Sequence, residues 1–473
     1  MAMAILPELS LLTAVLAFFV LSLSKDLNSE QIKNTAVGFG FVTLFCTVIS
    51  LHQQASMFFG SYQVDLFTQL FKLMIGLGLF FVLIAGQNLK DIELSVRPEY
   101  YMFFFLSCFG LMTLVSSVEL ITLFVSLELS SFALFLLVPM RSDQQGLRIQ
   151  MEAGIKYILF GVIASGFMLY GMSYIFGLTG TTYLKDILPG LKNVASQPAA
   201  LFAVIMVLVG FFYKLALFPM HFWVPDIYQG ASNETTGFVA TVPKLAAVAL
   251  LIRFVLLVPG DAHILITLLI VLALCSMFYG NLIALVQTDV KRMLGFSGIA
   301  HAGFIMLGLL TMEASGYATA MYYIVGYVFM NIACFMVLSN VSQQGENLAI
   351  EDLNGLHKRQ PLLALVLAVS LFALAGIPPF IGFMGEFMLL TGALRQGYLL
   401  LVILAAVNAG IAIYYYLSVI RAAYTTDPEG RPDVQIDGLT KAAGVILMLL
   451  IALMGILPSR IVALADSAVR AIM

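Results

Sequence analysis

The chain has 473 residues, 61% of them hydrophobic and only 10% charged. A soluble domain of that length carries about 25% charge, so the composition excludes a soluble globular protein and marks a polytopic membrane protein. A formal net charge of −3, with no basic face, excludes nucleic acid as a partner.

At roughly 20 apolar residues per crossing, fourteen spans are expected, beginning near Ile5, Thr35, Leu66, Glu99, Glu119, Ile149, Ala199, Asn233, Ala262, Lys291, Gly316, Pro361, Gly397 and Lys441. The first has no basic leader ahead of it and no A-x-A cleavage site, and its first lysine, Lys25, follows the apolar run, so it reads as an uncleaved span. Spans four and five nearly abut. The four cysteines, Cys46, Cys108, Cys275 and Cys334, are far apart inside apolar runs, which supports neither a disulfide framework nor a metal or iron–sulfur centre; they read as small core residues. Lys72 and Arg253 read as interfacial or structural, and Trp223 and Tyr228 as interface anchors.

Loops after odd-numbered spans carry Lys25, Lys33, Lys90, Arg97, Arg141, Arg148, Lys291, Arg292, Lys358, Arg359, Arg421, Arg431 and Lys441, whereas loops after even-numbered spans carry only Lys185, Lys192, Arg253 and Arg395. The positive-inside rule therefore puts the odd-numbered loops in the cytoplasm and both termini outside.

Two spans are interrupted. The seventh reads VGFFYKLALFPMHFWVPD, and the twelfth reads SLFALAGIPPFIGFMGEFMLL. Proline removes a backbone donor and clashes with the preceding turn, and irregular backbone at membrane depth survives only where protein or a water-filled cavity surrounds it. The two breaks lie five spans apart, which suggests related units of spans four to eight and nine to thirteen; paired broken helices point to a transport site.

Charges inside hydrocarbon carry the chemistry. Lys214 and Lys244 lie in the seventh and eighth spans, and Glu128 in LFVSLELSSFALFLL of the fifth. A charge at the bilayer centre costs about 3 kcal/mol on insertion scales, so such groups persist where they face a cavity or each other. Lys214 is the candidate partner of Glu128, the pair titrating as a unit; the plainer alternative is an ion pair that only fixes helix packing. Mid-span Lys244 suits reversible protonation. Lys156 follows Glu152 by four residues, so it is either a transfer group or half of a surface helix pair. His301, near the middle of span ten, suits a relay between lysines. Glu386 follows the second break, either as the last protonatable group before the exit or as a cap on the restarted half-helix. No nucleotide-binding, triad or zinc spacing is present, so no bond chemistry is expected in this chain.

Taken together, GFFYKLALFPMHFWVPDIYQGAS, FVATVPKLAAVALLIRF and GNLIALVQTDVKRMLGFSGIAHAGF resemble the antiporter-like subunit N of proton-pumping NADH–quinone oxidoreductase, respiratory complex I. The run WVPDIYQGA resembles the N-type subunit more than the sister L and M subunits or the related multisubunit cation/proton antiporters. PELSLL and LAGIPPFIGF agree, so the resemblance covers essentially the whole chain, without the lateral-helix extension of the L-type subunit.

The resemblance implies an all-α membrane fold of about 14 helices with two inverted five-helix repeats: three helices in residues 1–98, repeats in 99–258 and 259–426, and a last helix in 427–473. It makes Glu128 and Lys214 the pair that gates proton uptake, Lys244 the connecting lysine, Lys156 a sixth-helix lysine and His301 the central histidine. It also implies neighbouring antiporter-like and small membrane subunits in an energy-transducing bacterial or archaeal membrane. FMN, iron–sulfur clusters and quinone are expected in partner subunits, and none in this chain. Two positions depart from the family pattern. Glu386 stands where lysine is common, which reverses the charge at the exit, and SNETTGF replaces a proline-containing loop and brings Glu234 near a channel mouth. The competing readings are a subunit of a multisubunit sodium/proton antiporter and a structural subunit that has lost pumping.

Overall fold

The computed structural model describes residues 2–24, 28–86, 89–143, 146, 148–194, 198–256, 263–425, 427–428 and 430–473. Lys25, Ala262 and the domain edges expected at 1, 258, 259 and 426 lie outside the described residues.

In chain order the first elements are α1 (Leu6–Ser22), α2 (Ser29–Ser50), β1 (Ala55–Met57), β2 (Tyr62–Val64), α3 (Leu66–Ala85), α4 (Arg97–Ser116), α5 (Leu120–Leu137) and α6 (Ile149–Thr179). They are followed by α7 (Leu184–Val194), α8 (Pro198–Leu215), α9 (Val224–Gly230), α10 (Asn233–Val255), α11 (His263–Ala284), α12 (Val290–Leu309) and α13 (Ala314–Val341). The chain finishes with α14 (Leu356–Arg359), α15 (Pro361–Leu374), α16 (Ile381–Arg395), α17 (Leu399–Thr425), α18 (Gly438–Ile456) and α19 (Pro458–Arg470). Thirteen helices of the described residues are long and apolar enough to cross a membrane, and α15 is a shorter apolar helix that continues into α16 after a break. The strands β1 and β2 form an antiparallel hairpin, and α7 and α19 are short helices that were not anticipated from the apolar runs.

Polar residues at the edges of the apolar runs fix where helices begin. Asp65 and Thr68 make a reciprocal capping box on α3, and Ser232 caps α10. Glu119 separates the nearly abutting fourth and fifth spans: its carboxylate accepts the Thr122 N–H at 2.7 Å and so starts α5. Asp289 starts α12 in the same way, and both caps lie in short extended bridges, Glu119 to Tyr183 and Asp289 to Ala349.

The centre of the molecule is α10, α12 and α13. In each, 94% of the most apolar window is buried, against 33% in α6 and α17, which place their outer faces at the periphery. A helix that is apolar all round belongs in the interior, and α13 packs on α10, α12, α15, α16, α18 and α19.

The two breaks share one geometry. Helix α8 ends with Ala216 in the left-handed region at φ +67, where its N–H bonds Tyr213 O at 3.1 Å and the next N–H, of Leu217, bonds Phe212 O at 2.8 Å. Helix α15 ends with Gly376 at φ +67, its N–H on Ala373 O at 3.1 Å and that of Ile377 on Phe372 O at 3.0 Å. This is the Schellman pattern of helix termination, and prolines 219, 378 and 379, which lack a donor, keep the helix from resuming at once. Lys214 thereby falls in the last turn of α8, where the helix dipole favours a cation.

One sequence expectation needs correction, and one pair of alternatives is decided. Trp223 and Tyr228 are not interface anchors but buried rings: the unwound backbone after Leu215 turns inward, so that Trp223 Nε1 donates to Tyr213 O at 3.1 Å and its ring stacks on Tyr157 at 4.9 Å. Of the interfacial and structural readings of Lys72, the structural one holds. Lys72 is fully buried in α3, with Nζ 2.6 Å from Glu8 Oε1 of α1, and the same carboxylate oxygen accepts the Tyr62 hydroxyl at 2.5 Å.

Candidate functional site

Around the first break, α5, α6 and α8 place Glu128 and Lys214 near one another without closing an ion pair. Lys214 is only 4% exposed, and its Nζ donates to Ser130 Oγ at 2.7 Å and Ser131 Oγ at 3.0 Å, both on α5. Glu128, half-buried on the same helix, accepts from Ser165 Oγ of α6. At about 100° per residue along α5, Ser130 points about 160° and Ser131 about 60° away from Glu128. Serines 130 and 131 face α8, while Glu128 faces α6. In place of the expected partner, Glu128, Lys214 Nζ meets a pair of hydroxyls.

Between the breaks, Lys244, His301 and Glu386 converge on α13. Lys244 is 1% exposed; its Nζ donates to Tyr327 Oη at 3.0 Å and to Gly298 O at 3.4 Å, and it lies 4.8 Å from the centre of the Tyr327 ring. The His301 ring is 5.4 Å from the same tyrosine. His301 Nδ1 is 2.6 Å from Tyr323 Oη and Nε2 is 3.1 Å from Tyr416 Oη. Glu386 Oε1 accepts from Tyr323 Oη at 3.1 Å. Glu386, in the first turns of α16, does not cap that helix. It is buried and turned toward α13.

Lys156 lies apart from this line, in a partly exposed cluster. Its Nζ is 2.7 Å from Glu152 and 2.6 Å from Asp226, whose other oxygen takes Arg292 at 3.2 Å. Asp226 is the aspartate of WVPD, carried on α9. Nearby is a polar cavity of about 270 Å³, lined by Arg141, Gln150, Gln229, Asp289, Glu346 and Asn347 among others. Arg141 Nε is 2.9 Å from Asp91, and its NH1 and NH2 reach Gln229 O, Asn347 Oδ1 and Gly345 O. Burial, then the carboxylate of Glu234, pushes the Asp91 carboxyl up to about 7 against the pull of Arg141 and Lys291. Glu234 is buried at the start of α10; one oxygen accepts the Ser339 hydroxyl at 2.5 Å and the other has no hydrogen-bond partner among the described residues.

Sequence reasoning missed the hydroxyls: Ser130, Ser131, Ser165, Tyr323, Tyr327 and Tyr416. One signal was available. Tyr323 and Tyr327 are four residues apart on α13, hence on one face. Lys214, Lys244, His301 and Glu386 are thus buried, each on one or more hydroxyls, in and between the two broken helices of a membrane bundle, which defines an antiporter-like membrane subunit.

The comparisons agree with that class. The profile described as NADH:quinone oxidoreductase/Mrp antiporter, TM matches residues 117–412. A curated relative from Opitutus terrae, NADH-quinone oxidoreductase subunit N 2, is 49% identical over 455 residues, covering 96% of this chain and 95% of its own. A solved chain of respiratory complex I from Thermus thermophilus with bound aureothin is 31% identical and covers 97% of this chain and 99% of its own, with a TM-score of 0.84. A chain of the Mrp complex from Dietzia superposes at TM-score 0.87, covering 100% of this chain and 97% of its own; at 19% identity this likeness is one of fold alone. The chain belongs to the NADH:quinone oxidoreductase/Mrp antiporter membrane family.

Proposed function

We propose that this chain is the N-type subunit of a membrane-bound quinone oxidoreductase and translocates protons through its buried lysine, histidine and glutamate residues, driven by quinone reduction elsewhere in the complex. The observation that carries this reading is the line of buried groups: Lys214 on the serines of α5, Lys244 on Tyr327, and His301 joined to Glu386 through one hydroxyl. Groups so expensive to keep in a membrane interior stay where they exchange charge with neighbours. Nearly full-length identity of 49% to a subunit named for NADH–quinone oxidoreductase supports the complex in which it works.

In this reading Glu128 and Lys214 gate uptake, with the Ser130 and Ser131 hydroxyls holding the ammonium between transfers. Lys244 and His301 carry the proton inward, and Glu386 is the exit group. Lys156, held by Asp226, tunes the cytoplasmic side of the first half. Residues 99–258 and 259–426 form the two inverted repeats, supported by matching helix ends at Ala216 and Gly376 and matching caps at Glu119 and Asp289. Both termini face outward. Bond-making and bond-breaking belong to partner subunits, which hold FMN, iron–sulfur clusters and quinone.

The second reading, a subunit of a multisubunit sodium/proton antiporter, is favoured by the shared family profile and the shared fold. Gentle solubilisation of native membranes, with mass spectrometry of what co-purifies with the tagged chain, separates the two. Flavin and iron–sulfur subunits are expected. Recovery of hydrophobic antiporter-like chains alone supports the second reading.

A further inference from the structure

We propose that Tyr323 is a proton-transfer residue: its hydroxyl is the bridge across which a proton passes from His301 to Glu386. The inference rests on the proton-carrying reading above and adds to it the one group that makes its final segment continuous.

The geometry is specific. Tyr323 Oη lies 2.6 Å from His301 Nδ1 and 3.1 Å from Glu386 Oε1, so it joins α12 to the restarted half-helix α16 through the central helix α13. No hydrogen bond links His301 to Glu386 directly, and both are buried. A phenol has one proton and can accept another. It can therefore donate to only one of its two neighbours at a time, and the direction in which it donates is coupled to their protonation.

With Glu386 ionised, Tyr323 donates to its carboxylate and accepts the Nδ1–H of His301; Nε2 then accepts the hydroxyl of Tyr416 at 3.1 Å. A proton arriving at Nε2 makes an imidazolium. The Nδ1–H bond then breaks and forms an O–H bond on Tyr323, while the original Tyr323 O–H bond breaks and its proton forms an O–H bond on Glu386 Oε1. Imidazolium and carboxylate become neutral imidazole and carboxylic acid, the tyrosine ends neutral, and charge and atoms balance. Release of the Glu386 proton, reversal of the tyrosine hydroxyl and return of the imidazole from the Nε2–H to the Nδ1–H tautomer reset the chain.

Two glycines hold the parts in register. A Cβ on Gly385 would come to 2.5 Å from Tyr323 Cδ2, and one on Gly376 to 2.6 Å from Glu386 Oε2, so the ring and the carboxylate fill space that only glycine leaves open. The adjacent Tyr322 supplies a natural control. Its hydroxyl donates to the backbone carbonyl of Met454 at 2.7 Å, a partner that cannot pass a proton on.

The test is Tyr323→Phe, beside Tyr322→Phe and Lys214→Ala, each in the intact complex reconstituted in liposomes, with proton uptake and quinone reduction followed together. A positioned proton-transfer group contributes roughly 100-fold or more. Tyr323→Phe is expected to lower protons moved per electron pair to the level of Lys214→Ala, while Tyr322→Phe matches wild type, with the subunit still incorporated. Full translocation in Tyr323→Phe, or an equal loss in both tyrosine variants, overturns the inference. If Lys214→Ala is impaired in that case, the proposed function stands without the bridge; if Lys214→Ala also pumps normally, the proposed function falls too.

Discussion

Ser130 Oγ accepts a hydrogen bond from Lys214 Nζ at 2.7 Å, two residues beyond the carboxylate that the charge pattern made the obvious partner. The buried ammonium is thus held by neutral oxygens, Ser131 Oγ being the second. A cation on hydroxyls is stabilised less than a cation on a carboxylate, and it can shift its position or its proton without breaking an ion pair.

From this arrangement, Ser130→Ala combined with Ser131→Ala is expected to impair translocation more than either single change. Each hydrogen bond to a charged group contributes about 1.5–3 kcal/mol, and the double variant leaves the ammonium buried with neither acceptor. Initial rates of proton uptake in reconstituted liposomes check this. Equal rates in wild type and the double variant would show that the serines do not hold the lysine in the working protein.

Glycines beside the site predict two different failures. On Gly298 an added Cβ would sit 2.7 Å from Tyr327 Oη and 3.0 Å from Lys244 Nζ, which are ends of flexible side chains. Gly298→Ala is therefore expected to leave the subunit assembled, at a packing cost of about 1–3 kcal/mol, while moving Lys244 off its partner and lowering pumping. On Gly110 the new Cβ would meet the Ser130 backbone nitrogen at 2.5 Å and its Cα at 2.8 Å, which cannot give way. Gly110→Ala is expected to reduce the amount of subunit recovered in the complex. Native-gel quantification beside pumping assays separates the two outcomes.

Buried and exposed ion pairs should differ in weight. Arg141 and Asp91 are 2.9 Å apart with side chains 13% and 1% exposed, whereas Lys358 and Asp427, at 2.5 Å, are 55% and 78% exposed. Removing one partner of a buried pair costs about 3–5 kcal/mol, whereas an exposed pair is screened by solvent and adds little. Arg141→Leu is expected to deplete the subunit from the complex, and Lys358→Ala to leave it unchanged, as read by quantitative mass spectrometry of purified membranes.

The fold was legible because hydrocarbon imposes a length. The expected starts at Leu66, Ile149, Asn233 and Pro361 are the first residues of α3, α6, α10 and α15. The same rule is blind to α7, α19 and the β1–β2 hairpin, which are too short or too polar to read as spans. In the site, lysines and glutamates stood out because charge in an apolar run is costly. Their partners did not stand out: serine and tyrosine are ordinary in apolar helices, and nothing in one dimension says that Tyr323 meets both His301 and Glu386. Trp223 was misplaced because an aromatic after a span resembles a belt residue, while the break at Ala216 turns it into the core.

The most direct measurement is the number of protons moved per electron pair by the intact reconstituted complex carrying Lys214→Ala. The account predicts that protons moved per electron pair fall by the share this subunit carries, while the complex remains assembled. Unchanged translocation with the alanine in place would contradict it.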